Sequence, residues 1–188
     1  MHTVYIALGS NLGNRRGVMR EALIQLSERV GEVVKASSLH ETEPWGFNSP
    51  NKFLNACVKV ITTMSPRRVL EVTQQIERDL GRLNKSENGL YEDRIIDIDI
   101  LLYDDLTIDE PDLKIPHPDM YKRDFVMKPL SEIMCHGSPQ RSATELLLAA
   151  FEAYSETPCH ILYLHKQYLL CAKSLFLCIL FGVEVKIL

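Results

Sequence analysis

Two periods of apolar and polar positions run along the first 103 residues, and they predict strands and helices in a regular order. Alternating runs are typical of strands, whereas apolar positions three and four residues apart are typical of helices. The order βαββαβ predicts an α+β, ferredoxin-like core with an antiparallel sheet and both helices packed on one face. The predicted strands are 4–8, 32–39, 53–61 and 93–103, and the predicted helices are 15–30 and 66–80.

The pattern becomes less regular between and after these elements. Residues 41–51, rich in Pro and Gly, and the polar residues 82–93 predict loops. After the fourth strand we predict a hairpin partner for that strand at 106–113, a rigid turn at 116–118, and helices at 126–133 and 144–154.

The C-terminal part has a different composition. Residues 161–188 are rich in Leu, Ile, Phe and Cys, but the longest uncharged run, 174–183, is far shorter than the ~20 residues of a membrane span. We therefore predict one domain at 1–135 and a C-terminal extension at 136–188, apolar from about 159. A terminal element docked on the domain is favoured over the alternative, a tail that contacts a membrane.

Composition and charge exclude some classes of protein. The 188 residues are 46% hydrophobic and 24% charged, and the net charge of −4 gives no reason to expect a nucleic-acid partner. The five cysteines form no C-x-x-C pair, and the N-terminus does not resemble a signal peptide. Free thiols in the cytoplasm are therefore expected.

Asp97 and Asp99 carry the strongest chemical signal, because they lie two residues apart in an Ile-rich strand. Side chains alternate across a strand, so both carboxylates project from one face, with Cα atoms roughly 6–7 Å apart. Two like charges on a buried strand need a compensating cation. A solvated edge strand is the alternative. The opposite face carries an apolar row: Ile96, Ile98, Ile100 and Leu102.

Paired aspartates without Cys or His neighbours favour Mg²⁺ over Zn²⁺, and Mg²⁺ commonly bridges carboxylates and substrate phosphates. A nucleotide substrate is therefore predicted, although no Walker A motif occurs. Phosphates need cations, and Arg94 at the start of the strand would also keep both aspartates ionised. The candidate cations, whose alternative role is a solvated surface, are Arg82, Lys85, Arg94, Lys122 and Arg123.

Aromatic residues and one histidine complete the candidate chemistry. His117 lies in a proline-flanked turn, where structural and functional roles are equally favoured. Phe53 and Phe125 are most simply core residues, whereas Trp45, in a Pro/Gly loop, could flank a planar ligand.

Six motifs occur in one order, and together they resemble the 6-hydroxymethyl-7,8-dihydropterin pyrophosphokinases of folate biosynthesis over residues 4–133. The acidic strand combined with the Pro-His-Pro turn is the most specific pair. The motifs are GSNLG at 9–13, TEPWG at 42–46, FLNA at 53–56, QQIE with GR at 74–82, RIIDIDIL at 94–101, and PHPDM with Arg123 and Phe125.

The resemblance implies a Mg²⁺-dependent transfer of the pyrophosphoryl group of ATP to the hydroxymethyl group of the pterin, with release of AMP. It implies that Asp97 and Asp99 hold two Mg²⁺ ions and that Arg82 and Arg94 contact the transferring phosphates. The implied ATP site is Gln74, Glu77, His117 and Arg123. The implied pterin site is Phe53 and Phe125, stacked on either side, with Thr42, Pro44, Trp45 and Asn55.

We also expect a monomer whose partners are small molecules, with no nucleic-acid partner and no membrane contact. Glu43 and Asn84 depart from the family pattern, and the apolar tail has no counterpart in it. Two alternatives of other classes remain at this stage. One is a non-catalytic ferredoxin-like module, which needs no paired aspartates beside arginines, and the other is a Mg²⁺-dependent nuclease, which would need a basic nucleic-acid face.

Overall fold

The computed structural model describes residues 1–82 and 92–134, where helices cover both faces of an antiparallel sheet. The strands are β1 (His2–Ser10), β2 (Glu32–Ala36), β3 (His40–Thr42), β4 (Phe53–Thr62), β5 (Asp97–Tyr103), β6 (Ile108–Glu110) and β7 (Leu113–Ile115). The helices are α1 (Arg15–Arg29), α2 (Pro66–Asp79) and α3 (Asp124–Met134), with a 3₁₀ turn at Met120–Lys122 before α3.

The main sheet has the strand order β2-β4-β1-β5, and β3 also pairs with β4. All of these pairs are antiparallel, and α1 and α2 follow β1 and β4 along the chain. This arrangement confirms the predicted ferredoxin-like α+β core.

The two faces of the sheet have different partners. Val4, Ile6 and Leu8 of β1 are almost fully buried in the larger core with residues of α1 and α2, which confirms that both helices share a face. The opposite face packs on α3 through a smaller cluster that includes Cys57 and Leu101. Burial raises the pKa of the Cys57 thiol to about 12, so this cysteine is an inert core residue.

Two predicted features of the acidic strand are wrong. The sequence favoured a buried central strand over an edge strand, but β5 lies at the edge of the main sheet, paired with β1. The second feature is the alternation of its side chains. The pairing of β1 with β5 shifts register between Tyr5 and Ile6, so Leu101 is an extra residue in β5. The bulge reverses the alternation, and Leu102 packs toward α3 while Tyr103 joins the larger core with Ile100. Strict alternation placed Leu102 beside Ile100 because sequence alone does not reveal a bulge.

The predicted hairpin partner at 106–113 is also wrong, since β6 pairs with β7 rather than with β5. Strand β2 ends at Ala36, and the next strand residues, His40–Thr42, pair with β4 at the start of the predicted loop. Turn 116–118 follows a cis peptide bond between Ile115 and Pro116. The predicted helix 144–154, like the extension 136–188, lies outside the described residues. Within the described ranges, no helix is long and apolar enough to cross a membrane.

Candidate active site

A cavity of about 420 Å³ opens beside β5 and collects nearly all of the predicted site residues. Pro44 is the exception, because its neighbours Glu43 and Trp45 line the cavity and it does not. The predicted residues around the cavity are Thr42, Trp45, Phe53, Asn55, Gln74, Glu77, Arg82, Arg94, Asp97, Asp99, His117, Arg123 and Phe125.

Asp97 is held between two arginines on the cavity wall. Arg82 Nη1 donates to Asp97 Oδ1 at 2.5 Å, and Arg94 Nη1 lies 3.1 Å from Asp97 Oδ2. The arginine side chains are only 10% and 14% exposed, so solvent screens these pairs weakly. The prediction that Arg94 acts as a counter-charge for the acidic strand therefore has a direct structural basis.

Local backbone geometry brings Arg82 back to the sheet. Gly81 has a φ of +97°, in the left-handed region that favours glycine, and the Arg82 N–H donates to the carbonyl of Glu77 at 2.9 Å. The chain therefore reverses at the end of α2. The Arg82 guanidinium then reaches both Asp97 on β5 and the Glu77 carboxylate at 2.5 Å.

Glu77 holds α2 against β5. Its Oε1 accepts from Arg82 and, at 2.8 Å, from the backbone N–H of Ile98. The side chain is 5% exposed. Glu77 lines the cavity as expected. Its hydrogen bonds, however, give it a supporting role: they hold the Arg82 guanidinium and the backbone of Ile98, the residue between the two aspartates.

Asp99 is buried close to two other carboxylates. Burial, with the neighbouring carboxylates of Asp97 and Glu77, raises the pKa of Asp99 to about 7, against the opposing effect of Arg123 and Arg94. A divalent cation beside Asp97 and Asp99 would relieve this repulsion. The described residues contain no group of three or more His, Cys, Asp or Glu side chains arranged to hold a metal. Two carboxylates suit Mg²⁺, because this ion commonly fills its remaining coordination positions with water and substrate phosphate oxygens.

His117 is a fixed, neutral donor at the edge of the cavity. Its backbone N–H donates to the carbonyl of Leu101 at 2.9 Å, and its Nδ1 accepts from the backbone N–H of Asp119 at 3.3 Å. Burial and the nearby Arg123 charge lower the pKa of His117. Because Nδ1 is an acceptor, the neutral ring carries its proton on Nε2.

Aromatic rings surround the other end of the cavity. Trp45 and Phe125 have ring centroids 6.3 Å apart, and the Arg123 guanidinium lies 5.0 Å from the Trp45 centroid. Phe53 packs edge-on against Phe47 at 6.2 Å. The simplest interpretation of Phe53 and Phe125 as core residues is therefore incomplete, because both also line the cavity.

One polar contact and one glycine shape this part of the cavity. Asn55 donates from Nδ2 to the Thr42 hydroxyl at 2.9 Å and thereby joins β4 to β3. A Cβ on Gly9 would lie 3.2 Å from Asn55 Oδ1 and 3.8 Å from the Phe53 ring. Glycine at position 9 thus leaves space between the aromatic ring and the polar groups.

Sequence reasoning missed part of the lining. Phe47 and the β6–β7 hairpin contribute, the latter through Pro111, Asp112, Leu113 and Lys114. Lys114 alternates with the buried Leu113 and Ile115, a weak signal without knowledge of the strand pairing. Of the other predicted cations, Lys122 pairs with Asp119 at 3.2 Å on the surface, and Lys85 lies outside the described residues, as does Asn84.

Comparison with known proteins decides the family. Residues 5–135 match the profile of the family described as 7,8-dihydro-6-hydroxymethylpterin-pyrophosphokinase (HPPK). The chain belongs to this family. It is 50% identical over 134 residues to the 2-amino-4-hydroxy-6-hydroxymethyldihydropteridine pyrophosphokinase of Porphyromonas gingivalis, covering 71% of this chain and 91% of that protein. The prediction of a pyrophosphokinase of folate biosynthesis is thereby confirmed.

Other HPPK relatives agree. The Bacillus subtilis enzyme of the same name is 44% identical over 130 residues, covering 69% of this chain and 76% of that protein. A Plasmodium falciparum HPPK-DHPS crystal structure has a TM-score of 0.58 at 18% identity, which supports the fold alone. The match covers 82% of this chain and 46% of that one, so this chain spans less than half of that HPPK-DHPS chain.

Proposed function

We propose that this HPPK chain transfers the pyrophosphoryl group of ATP to the hydroxymethyl group of 6-hydroxymethyl-7,8-dihydropterin, using two Mg²⁺ ions held by Asp97 and Asp99. The carrying observation is the buried charge cluster of Asp97, Asp99, Arg82 and Arg94 in a cavity that aromatic rings also line. Bound Mg²⁺ would neutralise phosphate oxygens and stabilise the charge that develops during transfer.

The arginines would hold the phosphates. Arg82 and Arg94 are ion-paired with Asp97, and phosphate oxygens could share the donors that their guanidinium groups do not direct at the carboxylate. His117, neutral and protonated on Nε2, would donate a hydrogen bond to ATP, and Arg123 and Gln74 would complete its site. The residues therefore act mainly by binding and orientation, the dominant contributions in phosphoryl transfer.

The pterin would lie at the aromatic end. Phe53 and Phe125 approach the cavity from β4 and α3, and a flat ring between them would gain stacking energy. Asn55, Thr42 and Trp45 would complete this pocket. Asp97 is a poor candidate to accept the hydroxymethyl proton, since its oxygens would hold metal ions in addition to their contacts with Arg82 and Arg94. An ordered water is the better candidate acceptor.

A product assay tests the proposal. The purified chain, supplied with ATP, Mg²⁺ and 6-hydroxymethyl-7,8-dihydropterin, should form AMP and pyrophosphorylated pterin in equal amounts, and EDTA should stop the reaction. The 6-methyl analogue, which lacks the acceptor oxygen, is the matched control and should yield no AMP. Formation of ADP, or full activity in EDTA, would contradict the proposal.

A further inference from the structure

Asp93, which no part of the proposed mechanism uses, joins three segments around Arg94. Asn11 Nδ2, from the loop after β1, donates to Asp93 Oδ1 at 2.6 Å. Asn51 Nδ2, from the loop between β3 and β4, donates to Asp93 Oδ2 at 2.6 Å. Both carboxylate oxygens are therefore engaged, each by a different loop.

Asn11 extends the connection to the backbone of Arg94. The side-chain Oδ1 of Asn11 accepts from the backbone N–H of Arg94 at 2.7 Å. The backbone N–H of Asn11 donates to the Arg94 carbonyl at 3.1 Å. Asn11 is only 3% exposed, so water does not readily replace these bonds. The main chain of Arg94 is thus held on both its donor and its acceptor side.

The chemistry of Asp93 sets the orientation of both amides. An ionised carboxylate only accepts, so the NH₂ groups of Asn11 and Asn51 must face Asp93. With its NH₂ group so directed, Asn11 presents its oxygen to the Arg94 N–H. The hydrogen bond from Ser49, followed by those from Asn51 and Asn11, lowers the pKa of Asp93 despite partial burial, and the carboxylate stays ionised at neutral pH.

The position of Arg94 has consequences at both ends of the cavity. Its Nη1 lies 3.1 Å from Asp97 Oδ2, and its guanidinium carbon lies 5.4 Å from the centroid of the Phe53 ring. A shift of the Arg94 backbone would therefore move a phosphate-binding cation relative to both the acidic strand and the aromatic end.

We propose that Asp93 is a positioning residue for transfer: it orients Asn11 and Asn51, and through them the loops on either side hold Arg94 in its reactive position. This inference rests on the proposed role of Arg94. Asp93 itself touches no reacting atom.

Asp93→Asn is the primary test. The amide at position 93 keeps only one acceptor oxygen, so it can accept from Asn11 or from Asn51 but not from both. Its NH₂ group is then opposed to the NH₂ group of the other asparagine. We expect kcat for AMP formation to fall about 10- to 100-fold, the scale of a misplaced binding group, with KM for ATP and pterin changed less than about threefold. Asp105→Asn, an exposed aspartate beyond β5, should leave kcat unchanged.

The double variant Asp93→Asn with Asn51→Asp is the rescue. The new amide at position 93 would then accept from Asn11 and donate to the new carboxylate at position 51, so the bonds of residue 93 to both loop residues have a donor and an acceptor, and the net charge is conserved. We expect kcat to return to within about threefold of wild type. A general loss of packing at position 93 would not be repaired by this exchange, so failure of the double variant to fold or to recover kcat overturns the inference.

Arg94→Ala separates the two proposals. If Arg94→Ala is inactive and Asp93→Asn is fully active, Asp93 has no positioning role but Arg94 keeps its own. If Arg94→Ala retains full activity, the proposed role of Arg94 is contradicted, and with it the inference about Asp93 that rests on that role. Kinetic constants are compared per folded protein, with the folded fraction taken from circular dichroism.

Discussion

The two ends of the cavity are built in different ways. At the phosphate end (Arg82, Arg94, Asp97 and Asp99), the arginines lie 2.5 Å and 3.1 Å from the carboxylate of Asp97 and are anchored to β5 and to the end of α2. At the aromatic end (Trp45, Phe53 and Phe125), a loop, a strand and a helix each supply one ring, and the Trp45 and Phe125 centroids lie 6.3 Å apart.

This difference follows from the chemistry at each end. Stabilisation of a highly charged phosphate requires charges that are already in position, since reorganisation during the reaction is costly. A flat ring requires mainly two apolar surfaces at a suitable separation. We therefore expect substitutions at the phosphate end to change kcat and stability, and substitutions at the aromatic end to change KM for the pterin.

The largest effect is expected from Asp97→Asn. It removes one of the two proposed Mg²⁺ ligands and the shared partner of Arg82 and Arg94. AMP formation should fall about 1,000-fold, equivalent to several kcal/mol of transition-state stabilisation. Rates are measured at saturating ATP and pterin over a range of Mg²⁺ concentrations. A rate within about tenfold of wild type would show that Asp97 is not a metal ligand.

Arg82→Gln tests whether the phosphate end is also a structural unit. Without the guanidinium, the carboxylates of Glu77 and Asp97 lie close together and poorly compensated, and breaking a buried ion pair costs about 3 kcal/mol. Urea unfolding should show a loss of that size. Arg78→Gln is the control, because Arg78 is exposed on the same helix and bonds to Gln75. Equal losses in the two variants would argue against a special role for Arg82.

Features that depend on neighbouring residues could be predicted from the sequence, whereas features that depend on the pairing of distant segments could not. Asp97 and Asp99 share a face because alternation along one strand is a local property, and the Ser65 cap and Gly81 end of α2 were equally readable. The position of Lys114 depends on pairing between β6 and β7, and the bulge at Leu101 depends on register with β1. Neither leaves a local signal, since both arise from contacts between distant segments.

Phe125→Ala should affect mainly the aromatic end. Loss of one stacking surface costs about 1–3 kcal/mol for a flat base, so KM for the pterin should rise about 10- to 100-fold. KM for ATP should rise much less, through Arg123, whose guanidinium lies 6.0 Å from the Phe125 ring centroid. Phe125→Tyr keeps the ring and serves as the control. A parallel rise in KM for ATP would mean that the two ends are not energetically separate.

Asp99→Asn gives the smallest expected change in stability, and its sign is unusual for a site residue. Asp99 has a pKa of about 7 in the folded chain, against an ordinary value of 3.8. In the metal-free protein, Asp99 therefore costs no stability while it is protonated at low pH, and its contribution lowers stability as the pH rises from about 4 to about 7. Asparagine removes this loss, so the metal-free variant should be more stable than wild type at about pH 8, where the buried wild-type carboxylate is ionised beside Asp97 and Glu77.

The pH dependence identifies the cause of that gain. The stability difference between Asp99→Asn and wild type should grow between about pH 4 and about pH 7 and stay constant above about pH 8, as measured by urea unfolding in EDTA. Saturating Mg²⁺ and ATP should then favour wild type, because only the wild-type chain keeps both carboxylates for the ion. A variant that is less stable than wild type at about pH 8 in EDTA would show that burial and charge repulsion do not destabilise the ionised form of Asp99.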